Sequence, residues 1–331
     1  MALGLYPDFP ETLPGFQREF PDEKACLTYM EAVRWPKGFV CPICETKGEP
    51  FRFANRPKVL RCRACSEETS ITAGTIMHST HTPLYVWFWG AYLVTSQPPG
   101  ISALQFQRQL GIGRYETAFQ LLHKLRAGMV DPDRDLIGGK HPIEIDETYI
   151  GGATRGEGRG VHHQATVVGA VEIRQGGGEP SREPGAHQPR RGETWAGRLR
   201  LAVVASRGKA TLEKFVKGSI APRSQITTDG WQGYDGLRAL GYRHKAVVMD
   251  GDHEKADAWL PMIHIVFSNL KTWLLGTHHG VSPQHLQSYL DEYVFRFNRR
   301  FYPFNAFNSV LGIGAQDRSL TYRELYDKGA S

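Results

Sequence analysis

The spacing of apolar side chains along the chain changes its period near residue 135. Before that point, apolar residues recur at helical spacing, as in Glu23–Val33 and in the aromatic segment Pro83–Val94. After it they alternate with polar residues, as in Ile143–Ile150 and Thr166–Ile173, which is typical of β-strands with one buried face. The change predicts a helical N-terminal part followed by an α/β domain.

The second part of the chain alternates strands with helices. Periodicity or capping signals predict further strands over Leu199–Val204 and Gln225–Thr228, and helices over Lys209–Gly218, Pro261–Gly276 and Ser282–Arg300. In the last of these, Ser282 is the expected N-cap and Pro283 takes the first helical position. Residues 174–198 are crowded with Gly, Pro, Arg and Glu, and we expect them to form a long mobile loop.

A pair of short helices is predicted before residue 135. Ser102–Leu110 and Arg114–Arg126 carry helical spacing, and Gly111-Ile-Gly113 separates them with a glycine turn. This is the outline of a helix-turn-helix, in which Arg114 and Lys124 on the second helix could contact DNA. A plain αα-hairpin has the same signature, so both interpretations stay open.

Four of the five cysteines form a metal-binding pattern. Cys41 and Cys44 make one C-x2-C pair, Cys62 and Cys65 make another, and 17 residues separate the pairs. This spacing is typical of zinc sites, where four thiolates surround the metal at about 2.3 Å. Disulfides are the alternative, but a reducing cytosol disfavours them. Cys26 falls outside the pattern and is expected to be a small buried side chain.

Composition adds a possible partner and excludes a membrane location. The net charge of +6 and the pI near 9.0 suit a polyanion such as double-stranded DNA, although many basic proteins bind no nucleic acid. Apolar stretches such as Leu84–Val94 are shorter than the roughly 20 residues of a membrane span. The first residues lack the basic and apolar regions of a secretory signal, so we expect a cytoplasmic protein with no membrane partner.

Cations are concentrated between the two cysteine pairs and within the second pair. Five occur within twelve residues: Arg52, Arg56, Lys58, Arg61 and Arg63. Arg61 and Arg63, beside the second pair, are candidate DNA-phosphate contacts. The same cations could simply form the solvated face of a small domain, and the sequence does not decide between these interpretations.

Two aspartates occupy strand positions in the second part. Asp146 lies within Ile143–Ile150, and Asp229 directly follows Gln225–Thr228. Carboxylates from neighbouring strands can bind hard cations such as Mg²⁺, and a pair of such ions can activate the attacking oxygen and stabilise the leaving oxygen of a phosphodiester. Aspartates at strand ends also commonly cap turns, so the spacing alone does not establish a site.

Longer motifs around these aspartates resemble a known family. Ile145–Gly152, Thr228–Tyr234, Leu270–Gly280 and Tyr289–Arg300, together with the cysteine pairs, look like the bacterial DDE insertion-sequence transposases. More narrowly, the chain resembles insertion-sequence family fifteen-ninety-five, also called ISXO2-like. The resemblance implies a ribonuclease-H-like fold with Asp146 on the first strand and Asp229 after the fourth. It also implies magnesium-dependent (or manganese-dependent) DNA cleavage and strand transfer.

The third metal ligand of such enzymes departs from the usual acidic residue here. The family pattern places Glu or Asp on a late helix, with a basic residue seven positions on. Lys271 resembles that basic residue, and His264 stands seven positions before it. Asn269 is the other candidate, but it projects from nearly the opposite side of the helix, so helical geometry favours His264. Either ligand is neutral, which gives the site one negative charge fewer than three carboxylates.

Together these patterns predict an α/β protein in which a ribonuclease-H-like catalytic domain follows a zinc ribbon and a helix-turn-helix-like module. The expected divisions are an N-terminal helical segment 1–34, the ribbon 35–80, the helical module 81–135, the catalytic domain 136–310 and a tail 311–331. The expected function is a transposase acting on the ends of an insertion sequence. Alternatives are an inactive DNA-binding derivative and a nuclease that only hydrolyses DNA. Joining paired ends implies two active sites, so we expect a homodimer on DNA.

Overall fold

The computed structural model describes residues 12–97, 99–151, 164–176, 192–248, 258–301 and 306–315. These residues form two compact units. One comprises the described residues between Met1 and Asp131 together with those after Tyr302, and the other comprises those between Pro132 and Phe301.

The N-terminal unit combines helices with a small antiparallel sheet. Its helices are α1 (Leu13–Glu19), α2 (Glu23–Arg34), α3 (Leu84–Ser96), α4 (Ala103–Gln109), α5 (Tyr115–Ala127) and α9 (Ala306–Gly314), and its strands are β1 (Phe51–Arg52), β2 (Val59–Arg61) and β3 (Glu68–Ser70). The sheet order is β1-β2-β3. Asp22 caps α2, because its side chain accepts a hydrogen bond from the Ala25 N–H at 2.9 Å. Helices α4 and α5 are the predicted helix-turn-helix pair.

Aromatic side chains dominate the core of this unit. Phe307 of α9 packs against Phe16, Phe20, Tyr29 and Phe88, with ring centroids 5.8 to 6.3 Å apart. The sequence assigned residues up to 310 to the catalytic domain and left the rest as a tail, and this boundary is wrong. The apolar face of α9 is buried in the N-terminal unit, so the chain returns there after Phe301.

The C-terminal unit is built on a mixed five-stranded sheet. Its strands are β4 (Ile143–Ile150), β5 (Ala165–Gln175), β6 (Thr194–Val204), β7 (Gln225–Asp229) and β8 (Arg243–Val247), in the order β6-β5-β4-β7-β8. Strands β4, β5 and β6 pair antiparallel, whereas β7 runs parallel to both β4 and β8. Its helices are α6 (Lys209–Ser219), α7 (Pro261–His278) and α8 (Pro283–Arg299), with a 3-10 turn over Gln232–Tyr234.

Helices cover both faces of this sheet. Val167 and Val171 of β5 pack with α7 and α8, while Val168 and Ala170 pack with α6 on the other side. Both faces are therefore apolar, which agrees with the predicted succession of strands and helices, whereas the alternation within each strand had indicated only one buried face. No helix among the described residues is long and apolar enough to span a bilayer.

The prediction of a mobile loop over the whole of residues 174–198 is wrong at both of its ends. Strand β5 continues to Gln175 and β6 begins at Thr194, so both ends of the segment 174–198 are strand, and residues 177–191 lie outside the described part of the chain. The two strands extend into this charged segment because of an electrostatic interaction. Glu172 is fully buried and accepts hydrogen bonds from the side chains of Arg174 and Arg198, so these arginines belong to the sheet.

Candidate functional sites

The four cysteines of the two C-x2-C pairs converge on one point. Their sulfurs all lie within 4.8 Å of one another. The Sγ atoms of Cys41 and Cys65 are 3.7 Å apart, as are those of Cys44 and Cys62. A disulfide would need about 2.05 Å. Four sulfurs at about 2.3 Å from a tetrahedral metal lie roughly 3.8 Å apart, so the arrangement fits Zn²⁺.

Two matching turns create this arrangement. The N–H of Glu45 donates to the Cys41 carbonyl, and the N–H of Ser66 donates to the Cys62 carbonyl, each at 3.0 Å. Glu45 and Ser66 both adopt left-handed backbone angles, with φ of 57° and 64°. Neither residue is glycine, so the turns are stabilised by the surrounding ribbon and not by local preference.

The ribbon cations largely have partners within the chain. Arg61 and Arg56 both pair with Glu68, at 2.6 and 2.8 Å, and both guanidinium groups lie over the Phe53 ring. Arg63 donates from Nε to the backbone carbonyl of Glu49 at 3.1 Å. This arrangement agrees with a solvated ribbon face, and a DNA contact by Arg61 or Arg63 stays a prediction.

The helix-turn-helix cations differ in exposure. Arg114 is the exposed residue that precedes α5. Lys124 is half-buried, and burial lowers its ammonium pKa. Of the two, Arg114 is better placed to contact a phosphate.

The two aspartates of the second part come together across neighbouring strands. Strands β4 and β7 pair in parallel with Ile143 opposite Ile226, and continuing this register brings Asp146 level with Asp229. Burial raises the pKa of the Asp229 carboxyl, and the charge of Asp146 raises it further. Two carboxylates that repel one another in this way form a natural cation site.

Helix α7 brings a third ligand candidate to this pair. His264 Nε2 lies 3.2 Å from Asp146 Oδ2, and the imidazole is partly buried. Asn269 and Lys271 occupy exposed positions further along the same helix. The structure thus brings His264, and not Asn269, to the aspartates, as the helical spacing favoured.

Two features of the sheet place α7 so that His264 reaches Asp146. Glu144 lies two residues before Asp146 on the same face of β4, and its carboxylate accepts the N–H groups of Met262 and Ile263, each at 2.9 Å. These are unsatisfied donors at the start of a helix, which a carboxylate stabilises. Burial raises the pKa of Glu144, and these two donors oppose that shift.

The second feature is a glycine beneath the helix. Gly169 of β5 is paired with Asp146, and a Cβ atom there would lie 2.8 Å from Phe267 and 2.9 Å from Ile263. A larger residue here would require these two side chains of α7, or the helix itself, to shift. Neither Glu144 nor Gly169 was assigned a role from the sequence, because their partners lie about a hundred residues away in the chain.

Glu147, the residue after Asp146 in β4, makes several side-chain contacts. Its side chain faces away from Asp146 and is 1% exposed, bonded to Arg207 at 2.8 Å and to the hydroxyl of Tyr234. The same guanidinium lies 3.8 Å from Asp229 Oδ2. The signal available in the sequence was the position of Glu147 beside Asp146, but its partners come from two other segments.

The donor set suits a hard divalent cation. Asp146 and Asp229 offer carboxylate oxygens, and His264 offers an imidazole nitrogen beside them. Among the described residues, the cysteines form the only group of three or more His, Cys, Asp or Glu ligand atoms within 4.8 Å of one another. Asp146, Asp229 and His264 are more widely spaced. Mg²⁺ commonly keeps several waters and takes one or two carboxylates, so this spacing is compatible with it.

Family models match both parts of the chain. Residues 137–298 match the ISXO2-like transposase domain, and residues 21–68 match the transposase zinc-ribbon domain. The chain belongs to the ISXO2-like transposase family. No curated protein and no solved structure matches it.

The two matched regions of this transposase contain the residues of both candidate sites. Asp146, Asp229 and His264 all fall within the ISXO2-like domain. The zinc-ribbon match begins at residue 21 and so includes α2, whereas the sequence boundary placed the start of the ribbon at residue 35. The four cysteines provide the ribbon with its structural Zn²⁺ site.

Proposed function

We propose that this ISXO2-like transposase binds the ends of an insertion sequence and catalyses metal-dependent DNA cleavage and strand transfer. One observation carries the proposal. Two repelling carboxylates, Asp146 and Asp229, lie level on neighbouring parallel strands, and a helix held by the same strand brings His264 to 3.2 Å from one of them.

The reaction consists of two phosphodiester exchanges. In the first, water attacks the phosphorus at the element's end and a 3′-hydroxyl leaves. In the second, that hydroxyl attacks a target phosphodiester and displaces another 3′-oxygen, without a covalent protein intermediate. Bound Mg²⁺ or Mn²⁺ would lower the pKa of the attacking group and stabilise the leaving oxygen. Asp146 and Asp229 would hold the ions, His264 would complete the set, and Lys271 would neutralise phosphate charge.

The proposal also covers the fold of the catalytic domain, the elements that recognise DNA and the oligomeric state. The sheet, with three antiparallel strands followed by two parallel ones, supports a ribonuclease-H-like fold. We assign DNA recognition to the ribbon and to helices α4 and α5, with the exposed Arg63 and Arg114 as candidate contacts. Two ends must be joined in one reaction, so a homodimer on DNA is part of the proposal.

Comparison of Asp229→Asn with the wild type tests the enzyme. On DNA carrying the element's ends, with Mg²⁺ present, we expect the variant to nick at least about 100-fold more slowly, because a metal-ligating charge is lost. Asp235→Asn is the matched control, since Asp235 is an exposed aspartate six residues away, and it should nick like the wild type. Equal rates for wild type and Asp229→Asn would support the inactive DNA-binding alternative instead.

A strand-transfer assay with precut ends separates the transposase from a hydrolase. The transposase should join a precut 3′-end to target DNA in an Asp229-dependent way. Nicking without any joined product would favour the nuclease alternative.

A further inference from the structure

Arg207 is held rigidly at the edge of the aspartate pair. It lies between β6 and α6, and Nε and Nη2 both lie 2.8 Å from Glu147 Oε2. The guanidinium also lies over the Trp231 ring, 4.5 Å from its centroid. Burial alone would lower the pKa of Arg207, but the charge of Glu147 raises it, so the side chain is a permanent cation.

The partner of Arg207 is itself fixed. Glu147 is buried, and its second oxygen accepts the hydroxyl proton of Tyr234, which is fully buried. Burial raises the pKa of Tyr234, and the charge of Glu147 raises it further, so the hydroxyl remains a donor. Glu147 is therefore oriented from both sides, and it orients the guanidinium in turn.

The segment that follows Asp229 is shaped around Arg207. The indole N–H of Trp231 donates to the Arg207 carbonyl at 2.9 Å. A Cβ atom at Gly233 would lie 2.7 Å from that carbonyl and from the indole nitrogen, so only glycine fits. Trp231, Gly233 and Tyr234, all within six residues of Asp229, thus each contribute to holding one arginine.

This guanidinium lies close to Asp229. Nη2 is 3.8 Å from Asp229 Oδ2, which is too long for a hydrogen bond, and the side chain remains 29% exposed. A phosphate that approaches two carboxylates is repelled by both of them. A cation fixed beside Asp229 offsets this repulsion, and a guanidinium offers N–H groups in a geometry suited to phosphate oxygens.

We propose that Arg207 is a catalytic residue that binds a non-bridging oxygen of the DNA phosphodiester entering beside Asp229. This inference rests on the proposed function, since it requires DNA to be the substrate. Glu147, Trp231 and Tyr234 are then positioning residues, which fix the guanidinium before the substrate arrives. The alternative is that Arg207 only neutralises the buried charge of Glu147.

The variants Arg207→Gln and Arg207→Gln/Glu147→Gln distinguish these roles. The double variant removes the buried charge together with its counter-ion, so it should remain folded even if the single variant does not. We expect both to nick about 100- to 1,000-fold more slowly than the wild type, as for loss of one oxyanion donor. The plot of log DNA affinity against log salt, measured with Ca²⁺ in place of Mg²⁺, should become shallower by about 0.9 for one lost phosphate contact.

Arg174→Gln is the matched control. Arg174 also pairs with a buried glutamate, Glu172, at 2.9 Å in the same unit, and its exposure is similar at 36%. It should lose stability much as Arg207→Gln does, while keeping the wild-type nicking rate and salt dependence.

Two outcomes would overturn the inference: wild-type nicking by the double variant, or an unchanged salt dependence. If the proposed function itself is wrong, the result is distinguishable, because the wild-type protein would then nick DNA no faster than the Asp229→Asn variant. In that case the salt dependence alone still decides whether Arg207 contacts a phosphate.

Discussion

At the scale of single residues, the contact between His264 and Asp146 supports His264 over Asn269 as the third ligand of the proposed metal site. In the sequence, both His264 and Asn269 are candidates for the third metal ligand, and their positions on the helix relative to Lys271 favour the histidine. In the structure His264 Nε2 lies 3.2 Å from Asp146 Oδ2, while Asn269 is exposed. The choice has a measurable consequence for metal binding.

We expect His264→Ala to weaken Mn²⁺ binding and to slow nicking by about 10- to 100-fold, because one ligand is lost. His264→Glu should bind Mn²⁺ more tightly than the wild type, since a third carboxylate suits a hard cation. Isothermal titration with Mn²⁺ measures both effects. Asn269→Ala is the control and should stay within about twofold of the wild type. A stronger loss in Asn269→Ala than in His264→Ala would reverse the assignment.

The residues proposed to bind the metal were easier to predict than the residues around them. Asp146, Asp229 and His264 stand in motifs or at fixed helical spacing, so the sequence alone proposed them. Glu144 positions α7, and Arg207 is held by Glu147 and Trp231; these contacts join segments that are distant in sequence, and nothing in the local pattern marks either residue. Such roles depend on tertiary contacts, which a single sequence does not display.

At the scale of elements, the active site depends on how closely α7 approaches the sheet. Gly169 permits this approach, and Glu144 holds the start of the helix. The helix and its seven-residue spacing were predictable from periodicity. Strand β8 was not predicted, because the buried position between exposed Arg243 and Lys245 is a polar residue, His244, so the segment shows no apolar alternation. At a sheet edge, charged side chains of this kind are common.

Gly169→Ala tests the close approach of α7. The added methyl would contact Phe267 and Ile263, so we expect a loss of about 1–3 kcal/mol in the free energy of unfolding. Nicking should fall further than this loss of stability explains, because His264 moves with the helix. Urea denaturation and a nicking assay on the folded variant measure the two effects.

Gly218→Ala is the control for this substitution. Gly218 lies in α6 with open space around the Cβ position, so alanine there should stabilise the protein by up to about 1 kcal/mol. Nicking should be unchanged. A fully active Gly169→Ala variant would show that the position of α7 tolerates the displacement.

The ends of β5 and β6 depend on the ionisation of Glu172. Burial opposes ionisation, but Arg198, Arg174 and two backbone N–H groups outweigh it and lower the pKa from 4.5 to about 2. A lowered pKa adds stability above the unfolded-state value, and this stability disappears as the pH falls from about 4.5 to 2. The shift corresponds to a contribution on the order of 3 kcal/mol.

We therefore expect Glu172→Gln to be less stable than the wild type at pH 7 and to approach it in stability near pH 2. Urea denaturation at several pH values measures the difference. Glu193→Gln, an exposed glutamate near the start of β6, serves as the control and should keep the wild-type pH dependence. A constant difference between Glu172→Gln and the wild type from pH 7 to pH 2 would contradict the assignment.

At the scale of the whole molecule, the two compact units depend on different interactions. The C-terminal unit has a two-sided apolar core around its sheet, whereas the ribbon in the N-terminal unit has very short strands. The ribbon therefore depends more strongly on its metal. The cysteine spacing predicted this site directly, but α9 was not predicted to join the N-terminal unit, because a short apolar segment does not identify its partner.

Cys44→Ser provides a direct test of the zinc site. Cys44 is exposed, so the substitution costs little in packing, and any large loss of stability reports the metal. We expect the melting temperature of the N-terminal unit to fall by at least about 10 °C, with the transition of the C-terminal unit unchanged. Differential scanning calorimetry resolves the two unfolding transitions. A strong chelator should lower the melting temperature of the N-terminal unit of the wild type in the same way.

Cys26→Ala, a substitution outside the cluster, is the control, and its N-terminal unit should still be destabilised by the chelator. A single transition that neither Cys44→Ser nor the chelator shifts would mean that the four thiols stabilise the ribbon without a metal.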